Sequence, residues 1–505
     1  MNTLLNGMKN STNYTYTENG ALTHKSTMSS LLDLFAMGAA YRTRSDEDCI
    51  FLFKNAFEED EVHALKCLFY LRDVRGGQGE RRFFRVVTHW LADHQTEAMR
   101  RNLEFVPEFG RWDDLYEFIG TKLEENAFEL MRKQLMLDVQ CKTPSLLAKW
   151  LKSENTSSAK SRELANETRK AFHMNHKEYR KTLSALRERI KVLERLMSEN
   201  RWEEIEFDKI PSKAGLVYRN AFARRDMIKA KYESLMKDEK TTVNAGTLYP
   251  YEVVAKAYNL TRSSYSYSYS RYSGYNFEDN FDTTERNAIN KYWANLKDYF
   301  NGCSLDALCM IDTSGSMWGS EASAPINVAI SIGLYAAERA RGPFAGHYIS
   351  FSSRPQLIET AGVDFVDKVR RIYSTNLCDN TNIEAAFDMV LNTALHNHCT
   401  QDDLPKSIIV VSDMEFDAQR GYYGSRNGTL MENIERKWNQ AGYKMPNLVY
   451  WCVQARQNNI PMTVKDGISY VSGFSPVLFE QVMKGKTAFD LMMDKLNSSR
   501  YECIH

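Results

Sequence analysis

The sequence predicts an α plus α/β chain: a stack of helices followed by a doubly wound parallel sheet. Two observations predict it. Up to about residue 300, apolar residues recur at helical spacing in segments parted by short Gly or Pro turns, the rhythm of HEAT-like helix–turn–helix units. No clean sequence period accompanies that rhythm, so the α-solenoid expectation rests on the rhythm itself. Beyond residue 300, short apolar runs alternate with amphipathic helical segments, as parallel strands joined by crossover helices do. At 505 residues the chain is too long for one ordinary core. We expect an N-terminal arm over 1–25, a helical-repeat module over 26–300 and an α/β domain over 301–505.

The arm, Met1 to Tyr16 at its start, is polar and Asn/Thr-rich and lacks the apolar core of a signal peptide. It reads as mobile or surface-bound. From Ser29 the spacing of Leu31, Leu32, Leu34, Phe35 and Met37 is helical, with Ser30 a plausible cap. Helices are then expected over about 46–56, 59–72, 80–93, 96–106, 112–119, 124–139 and 145–151, with Val62, Leu65, Leu68, Phe69 and Leu71 as the stripe of the second. Gly76-Gly77-Gln78-Gly79, Pro107, Gly110 and Pro144 separate them.

The junction Arg72-Asp73-Val74-Arg75-Gly76-Gly77-Gln78-Gly79-Glu80-Arg81-Arg82 is open to two readings. One is a helix-ending turn whose Arg–Asp and Arg–Glu pairs brace neighbouring helices. The other is a phosphate-holding corner, with glycine N–H groups and bidentate arginines. No Gly-Lys-Ser/Thr follows, so this is no nucleotide-hydrolysis loop, and no nucleotide is expected.

Between Lys160 and Lys240 basic residues outnumber acidic ones by roughly seven, a local field in a chain whose 65 basic and 65 acidic residues cancel. Its first part, Tyr179 to Glu199, is expected as one long helix with Leu183, Leu186, Ile190, Leu193 and Met197 on a common face. Many of its cations have Glu neighbours at helical spacing, so a solvated, salt-bridged surface is the default. The sharper alternative is an RNA-binding surface, with Lys149, Arg180, Lys181, Arg187 and Lys191 joining Arg72, Arg75, Arg81 and Arg82 on phosphates. A short helix over 249–258 precedes a Tyr/Ser-rich insertion over 261–280. Its tyrosines either stack on single-stranded bases beside Arg271 or belong to a plain disordered tract. A last helix over 285–300 leads into the sheet.

In the α/β part we expect strands over 305–311, 346–351, 407–411, 447–453 and 467–471. Helices are expected over 325–341, 363–373, 382–395, 430–440, 476–483 and 487–497. The stretch Met310-Ile311-Asp312-Thr313-Ser314-Gly315-Ser316-Met317 places one carboxylate and two hydroxyls on a tight loop at a strand's carboxyl end, where open parallel sheets carry their sites. Oxygen donors of this kind suit Mg²⁺ or another hard divalent cation. Downstream, Asp379-Asn380-Thr381-Asn382 opens a helix, and Ser412-Asp413 closes the strand over 407–411.

Composition excludes several classes. No run of about 18 apolar residues exists, so no membrane span is expected. Nine scattered cysteines form no Cys-x-x-Cys pair, which argues for reduced thiols in a cytoplasmic compartment. His396-Asn397-His398-Cys399 stands alone after a helix and reads as an exposed loop. No Cys–His or Ser–His pairing and no glycoside-type carboxylate pair has convincing context, so we expect no enzyme.

The order of loops in the α/β part resembles the von Willebrand factor A domain and its metal-ion-dependent adhesion site. That resemblance makes Asp312, Ser314, Ser316, Thr381 and Asp413 the ligand set and implies a cation that accepts an acidic group from a partner. Residues 70–81 and Trp112-Asp113-Asp114-Leu115 look like the TROVE module of Ro autoantigens, a helical ring followed by an A domain. A closer resemblance, to a TROVE-related family of plants, bacteria and large phages, rests on Ala148-Lys149-Trp150-Leu151, the run from Tyr179 to Ser212, the loops after Asp312 and Ser412, and Ser472-Gly473-Phe474-Ser475-Pro476. It implies binding of small or misfolded RNA, a ribonucleoprotein, in a bacterial or phage-infected cell. The alternative is a protein-interaction or virion-assembly component that docks an acidic partner through the metal site without RNA.

Overall fold

The computed structural model describes residues 12–263, 283–300, 306–374, 380–418, 428–462, 465, 467–479 and 487–505. The Tyr/Ser-rich insertion from residue 264 onward, the first part of the arm and the end of the helix expected over 476–483 lie outside them. The chain makes two compact units that do not follow chain order. One is drawn from 1–44 and 211–495, the other from 45–210 and 496–505.

In the first unit, the apolar runs after residue 306 become a six-stranded sheet. Its strands are β3 (Ala307–Asp312), β4 (His347–Phe351), β5 (Gln356–Glu359), β6 (Ser407–Ser412), β7 (Asn447–Cys452) and β8 (Ile468–Ser472), in the order β5-β4-β3-β6-β7-β8. All neighbours are parallel except β4 and β5. β3, β6 and β8 are buried over all or nearly all of their length, which is why they read as continuous apolar runs rather than alternating ones. β5 is the strand that the sequence did not reveal. It is an exposed four-residue edge, and its Gln-Leu-Ile-Glu carries too short a pattern to register.

From β3 the chain runs to β4 on one side and returns as β6 on the other. The carboxyl ends of β3 and β6 are therefore the switch point, where such sheets open a crevice. Helix Pro325–Arg339 packs on β3 through Gly333, where a Cβ would stand 1.9 Å from Cδ1 of Ile311.

The expected helical module does not stay together as one body. The arm forms a hairpin, β1 (Tyr14–Tyr16) with β2 (Leu22–His24), and belongs to the sheet's unit. So does helix Ser30–Met37, capped by the Ser29 side chain on the Leu32 N–H. Residues 31–37 are all buried, so this helix has no polar side to give to water, and it lies against β8. Helices Ser212–Arg224, Asp226–Lys237, Pro250–Ser263 and Thr283–Ala294 also belong there. Helical periodicity reports that a face is buried, not what buries it.

In the second unit, helices Asp46–Glu59, Glu61–Arg72, Arg82–His94, Glu124–Gln140, Ala159–Ala171 and His176–Arg189 follow the expected rhythm. Val62 leaves the predicted stripe, at 39% exposed. The long helix expected over 179–199 is broken: His176–Arg189 ends, and Leu193–Ser198 begins anew. Lys191 takes a left-handed φ of 47°, and the Val192 N–H closes back on the Arg187 carbonyl, which ends a helix without glycine.

The glycine junction is a packed corner. A Cβ on Gly77 would fall 2.0 Å from the Tyr70 carbonyl oxygen, which itself accepts the Gln78 N–H. Gly77→Ala is expected to cost about 3 kcal/mol, since backbone and not a movable side chain must yield; the shift in a denaturant midpoint measures it. The C-terminal segment is anchored at the same corner. Arg500 and the Tyr501 hydroxyl, the latter at 3.0 Å, both bond Asp73, which is fully buried.

Burial raises the Asp73 pKa, but the Arg500 bonds and the Arg75 and Gly76 N–H groups outweigh it and leave the carboxyl below its ordinary range. A depressed carboxylate contributes stability above its unfolded pKa and loses it as pH falls through the folded value. Arg500→Ala is thus expected to cost about 2–3 kcal/mol at neutral pH, Arg500 being partly exposed. The gap from wild type should close in acid, where Asp73 is protonated in both; paired urea melts at several pH values check this.

Candidate functional site

The register of the sheet builds the first site. Ile311 of β3 lies opposite Val411 of β6, so Asp312 and Ser412 come next on adjacent strands. Their side chains meet: the Ser412 hydroxyl donates to Asp312 Oδ2 at 2.5 Å, and the Ser314 N–H donates to Oδ1 at 2.9 Å. The hydroxyls of Ser314 and Ser316 stand 3.0 Å apart. One residue past Ser412, Asp413 takes the Glu415 N–H on Oδ1 at 3.2 Å. Its Oδ2 is buried and accepts no hydrogen bond; the Arg456 Nε stands 3.7 Å away. Thr381, also buried, is tied to the same loop by its carbonyl, which accepts the Asp417 N–H at 3.0 Å.

The electrostatics are those of carboxylates held without enough counter-charge. Burial, and then the charge of Asp413, push the Asp312 carboxyl up to about 7. Asp413 is raised as well, by burial, against the pull of Ser316 and Arg456. Glu415 is pushed up to about 7 by burial, although the Glu18 N–H and Asn459 bond its two oxygens. The backbone of buried Met414 is left-handed, at φ 65°, a strained conformation for such a residue. Asp312, Asp413, Ser314, Ser316 and Thr381 make an oxygen-only donor set that suits a hard divalent cation. Among the described residues no group of three or more His, Cys, Asp and Glu side chains is placed to hold a metal, and this set has only two carboxylates.

Two contributors escaped the sequence reading. Ser412 looked like a strand end, and only the register sets it on Asp312. The arm was open to a mobile or a surface-bound reading, and its turn lies on this loop. Thr17 Oγ1 donates to the Phe416 carbonyl at 2.7 Å, and Asn19 Nδ2 to the Glu415 carbonyl at 2.6 Å. The polarity of the turn residues was the signal available, and it fits an exposed turn equally well.

The nine predicted phosphate-binding residues do not form one set. Arg72 is corrected outright: it is 2% exposed and gives Nε and Nη2 to Asp114 Oδ2 at 2.9 and 2.7 Å. A guanidinium sealed in that pair braces helices. Arg82 pairs with Asp46, and Arg75 bonds the Glu108 carbonyl, while Arg81 is exposed. Arg187 gives three bonds of 2.8 Å to Ala148, Ser153 and Leu151, and burial lowers its pKa. Lys191 pairs with Glu206 at 2.9 Å. Lys149, Arg180, Lys181 and Arg187 do share one feature, an open groove of about 1040 Å³ in the second unit that Trp150, Lys152, Lys177 and Arg195 also line. His396-Asn397-His398-Cys399 is a helix-ending turn with His398 at φ 53°.

The fold and these sites define a two-unit chain with a buried oxygen-donor cluster at the carboxyl edge of a parallel sheet in one unit and a basic groove in the other. The chain belongs to the family described as "Domain of unknown function (DUF2828)", whose model matches residues 17–146 and 138–301. A second model, "Domain of unknown function (DUF7788)", matches 306–502, so the family boundary falls where the strand–helix alternation begins. The chain is 27% identical over 518 residues to the uncharacterized protein L728 of Acanthamoeba polyphaga mimivirus, covering 94% of this chain and 85% of that one. It is also similar to the crystal structure of the Ro (RSR) protein of Deinococcus radiodurans, at 12% identity over 93% of this chain and 99% of that one. The TM-score there is 0.37. Among the described residues no helix is long and apolar enough to cross a membrane.

Proposed function

We propose that the chain is a non-enzymatic binding protein whose sheet is a von Willebrand factor A-like domain, holding Mg²⁺ or a similar cation on Asp312, Asp413, Ser314, Ser316 and Thr381. Through that cation it takes an acidic group of a protein partner. The observation that carries this reading is Asp413 Oδ2, a buried carboxylate oxygen with no hydrogen bond, next to a second buried carboxylate. A buried anion left in that state is costly unless a cation meets it. When bound, the cation would supply an electrophilic centre for an anionic oxygen. The chain's residues hold it: Ser412 and the Ser314 N–H fix Asp312, and Met414 turns the loop that fixes Asp413. Free thiols on the described cysteines fit a reducing, cytoplasmic setting. Thermal unfolding in Mg²⁺ and in chelator tests the reading. Binding should raise stability by about 2.7 kcal/mol at a hundredfold excess over Kd, and an unchanged Tm with no heat of Mg²⁺ binding sinks it.

A second reading, RNA binding on the helical unit, is favoured by the groove. It is open, large and lined by more cations than carboxylates, and phosphate contacts dominate nucleic-acid affinity. RNA that co-purifies, with gel shifts that weaken as salt rises, supports it. Nucleic-acid-free protein with no salt-sensitive shift removes it and leaves the protein-docking reading alone.

A further inference from the structure

The hairpin turn places Glu18 beside the candidate cation site. Glu18 Oε2 accepts from Arg456 Nη1 at 2.9 Å, and the same guanidinium gives Nη2 to the Ser316 carbonyl at 3.2 Å. Its Nε stands 3.7 Å from the unbonded Asp413 Oδ2. On the other side of the turn, Asn19 Nδ2 lies 3.4 Å from Thr381 Oγ1. Asn19 therefore touches one of the five donor residues, Thr381, and Glu18 is linked to a second, Ser316, through the Arg456 guanidinium. The turn is well held. The Glu18 N–H bonds Glu415 at 2.7 Å, the Ala418 N–H bonds the Asn19 carbonyl, and Gly20 at φ 85° lets the chain reverse. Glu18 and Arg456 themselves stay 39% and 33% exposed, within reach of a partner.

We propose that Glu18 is a built-in counter-anion of this site, and that a partner's carboxylate replaces it on Arg456 while it reaches the cation. This rests on the divalent-cation reading. Two aspartates balance a divalent cation, and Glu18 balances Arg456. With Glu18 in place the Arg456 guanidinium is already paired and offers an incoming anion no open fork. With its charge removed, Arg456 stands beside the cation as a free fork for a carboxylate, the pairing its planar geometry suits. Glu18 thus sets a threshold: it rejects weak or singly charged acidic groups and yields to an acidic peptide that presents several.

The test uses the full chain, a fluorescein-labelled hexaglutamate peptide read by anisotropy, and calorimetry of Mg²⁺ alone. Glu18→Gln keeps the turn's backbone bonds and removes the charge. It should bind the peptide about tenfold tighter than wild type in Mg²⁺, the size of one unit of charge interaction at a partly exposed site, with no gain in chelator. Adding Arg456→Gln should erase the gain. An affinity for the peptide no higher than wild type, with Mg²⁺ uptake intact, overturns the counter-anion role and leaves the cation reading standing. A gain that persists in chelator or in the double variant shows a loosened hairpin and overturns it too. Absence of Mg²⁺ uptake by wild type removes both.

Discussion

Asp312→Asn is expected to lower Mg²⁺ affinity by at least about 100-fold, some 2.7 kcal/mol, while the fold persists. Half of the formal negative charge of the donor set disappears, and neutral hydroxyls do not replace it. The fold persists because the amide fits the old bonds. Its oxygen can keep the Ser314 N–H, and the Ser412 hydroxyl, which donates to Asp312 and accepts the Met414 N–H, can turn to accept from the amide nitrogen. In chelator the variant should melt at or above wild type, because a buried anion next to Asp413 has gone. In Mg²⁺ the order should reverse. Paired melts with and without Mg²⁺, and calorimetry, give both results. A variant that still gains stability from Mg²⁺ as wild type does would place the cation elsewhere.

That reversal depends on features of different legibility. The strands ending at Asp312 and near Asp413 were readable because both are buried on two sides and appear as unbroken apolar runs. The loop residues were readable because polar, small side chains directly after such runs have few other places to be. Ser412 was not readable as a partner of Asp312, since register joins residues 100 apart and leaves no local mark. Helices were legible as helices; their grouping was not. Ser30–Met37 and the helices from residue 212 onward pack with the sheet, and an apolar stripe is the same whether a helix or a strand covers it. The glycine junction shows the same limit in another form. Its four arginines suited either a brace or a phosphate corner; the buried Asp114 makes Arg72 a brace and Asp46 pairs Arg82, while Arg81 stays exposed. Counting charges in sequence cannot tell a paired cation from a free one.

That distinction governs the second large effect, in the basic groove. Lys177 and Lys181 stand one turn apart on helix His176–Arg189, are exposed, line the groove and make no ion pair among the described residues. Arg187, six residues beyond Lys181, spends its guanidinium on the chain itself. Under the RNA reading, Lys177→Glu with Lys181→Glu should reduce affinity for single-stranded RNA about 100-fold at physiological salt. It should also flatten the plot of log affinity against log salt by about 1.4, two phosphate contacts at about 0.7 each. Neither change should move the melting temperature, because neither side chain supports the fold. Arg72→Gln should do the opposite: a large loss of stability from an unpaired Asp114, about 3 kcal/mol or more, with an undiminished salt slope in whatever protein stays folded. If the double charge reversal leaves both affinity and slope in place, the groove is a solvated surface, and the cation site on the sheet is left as the chain's binding function.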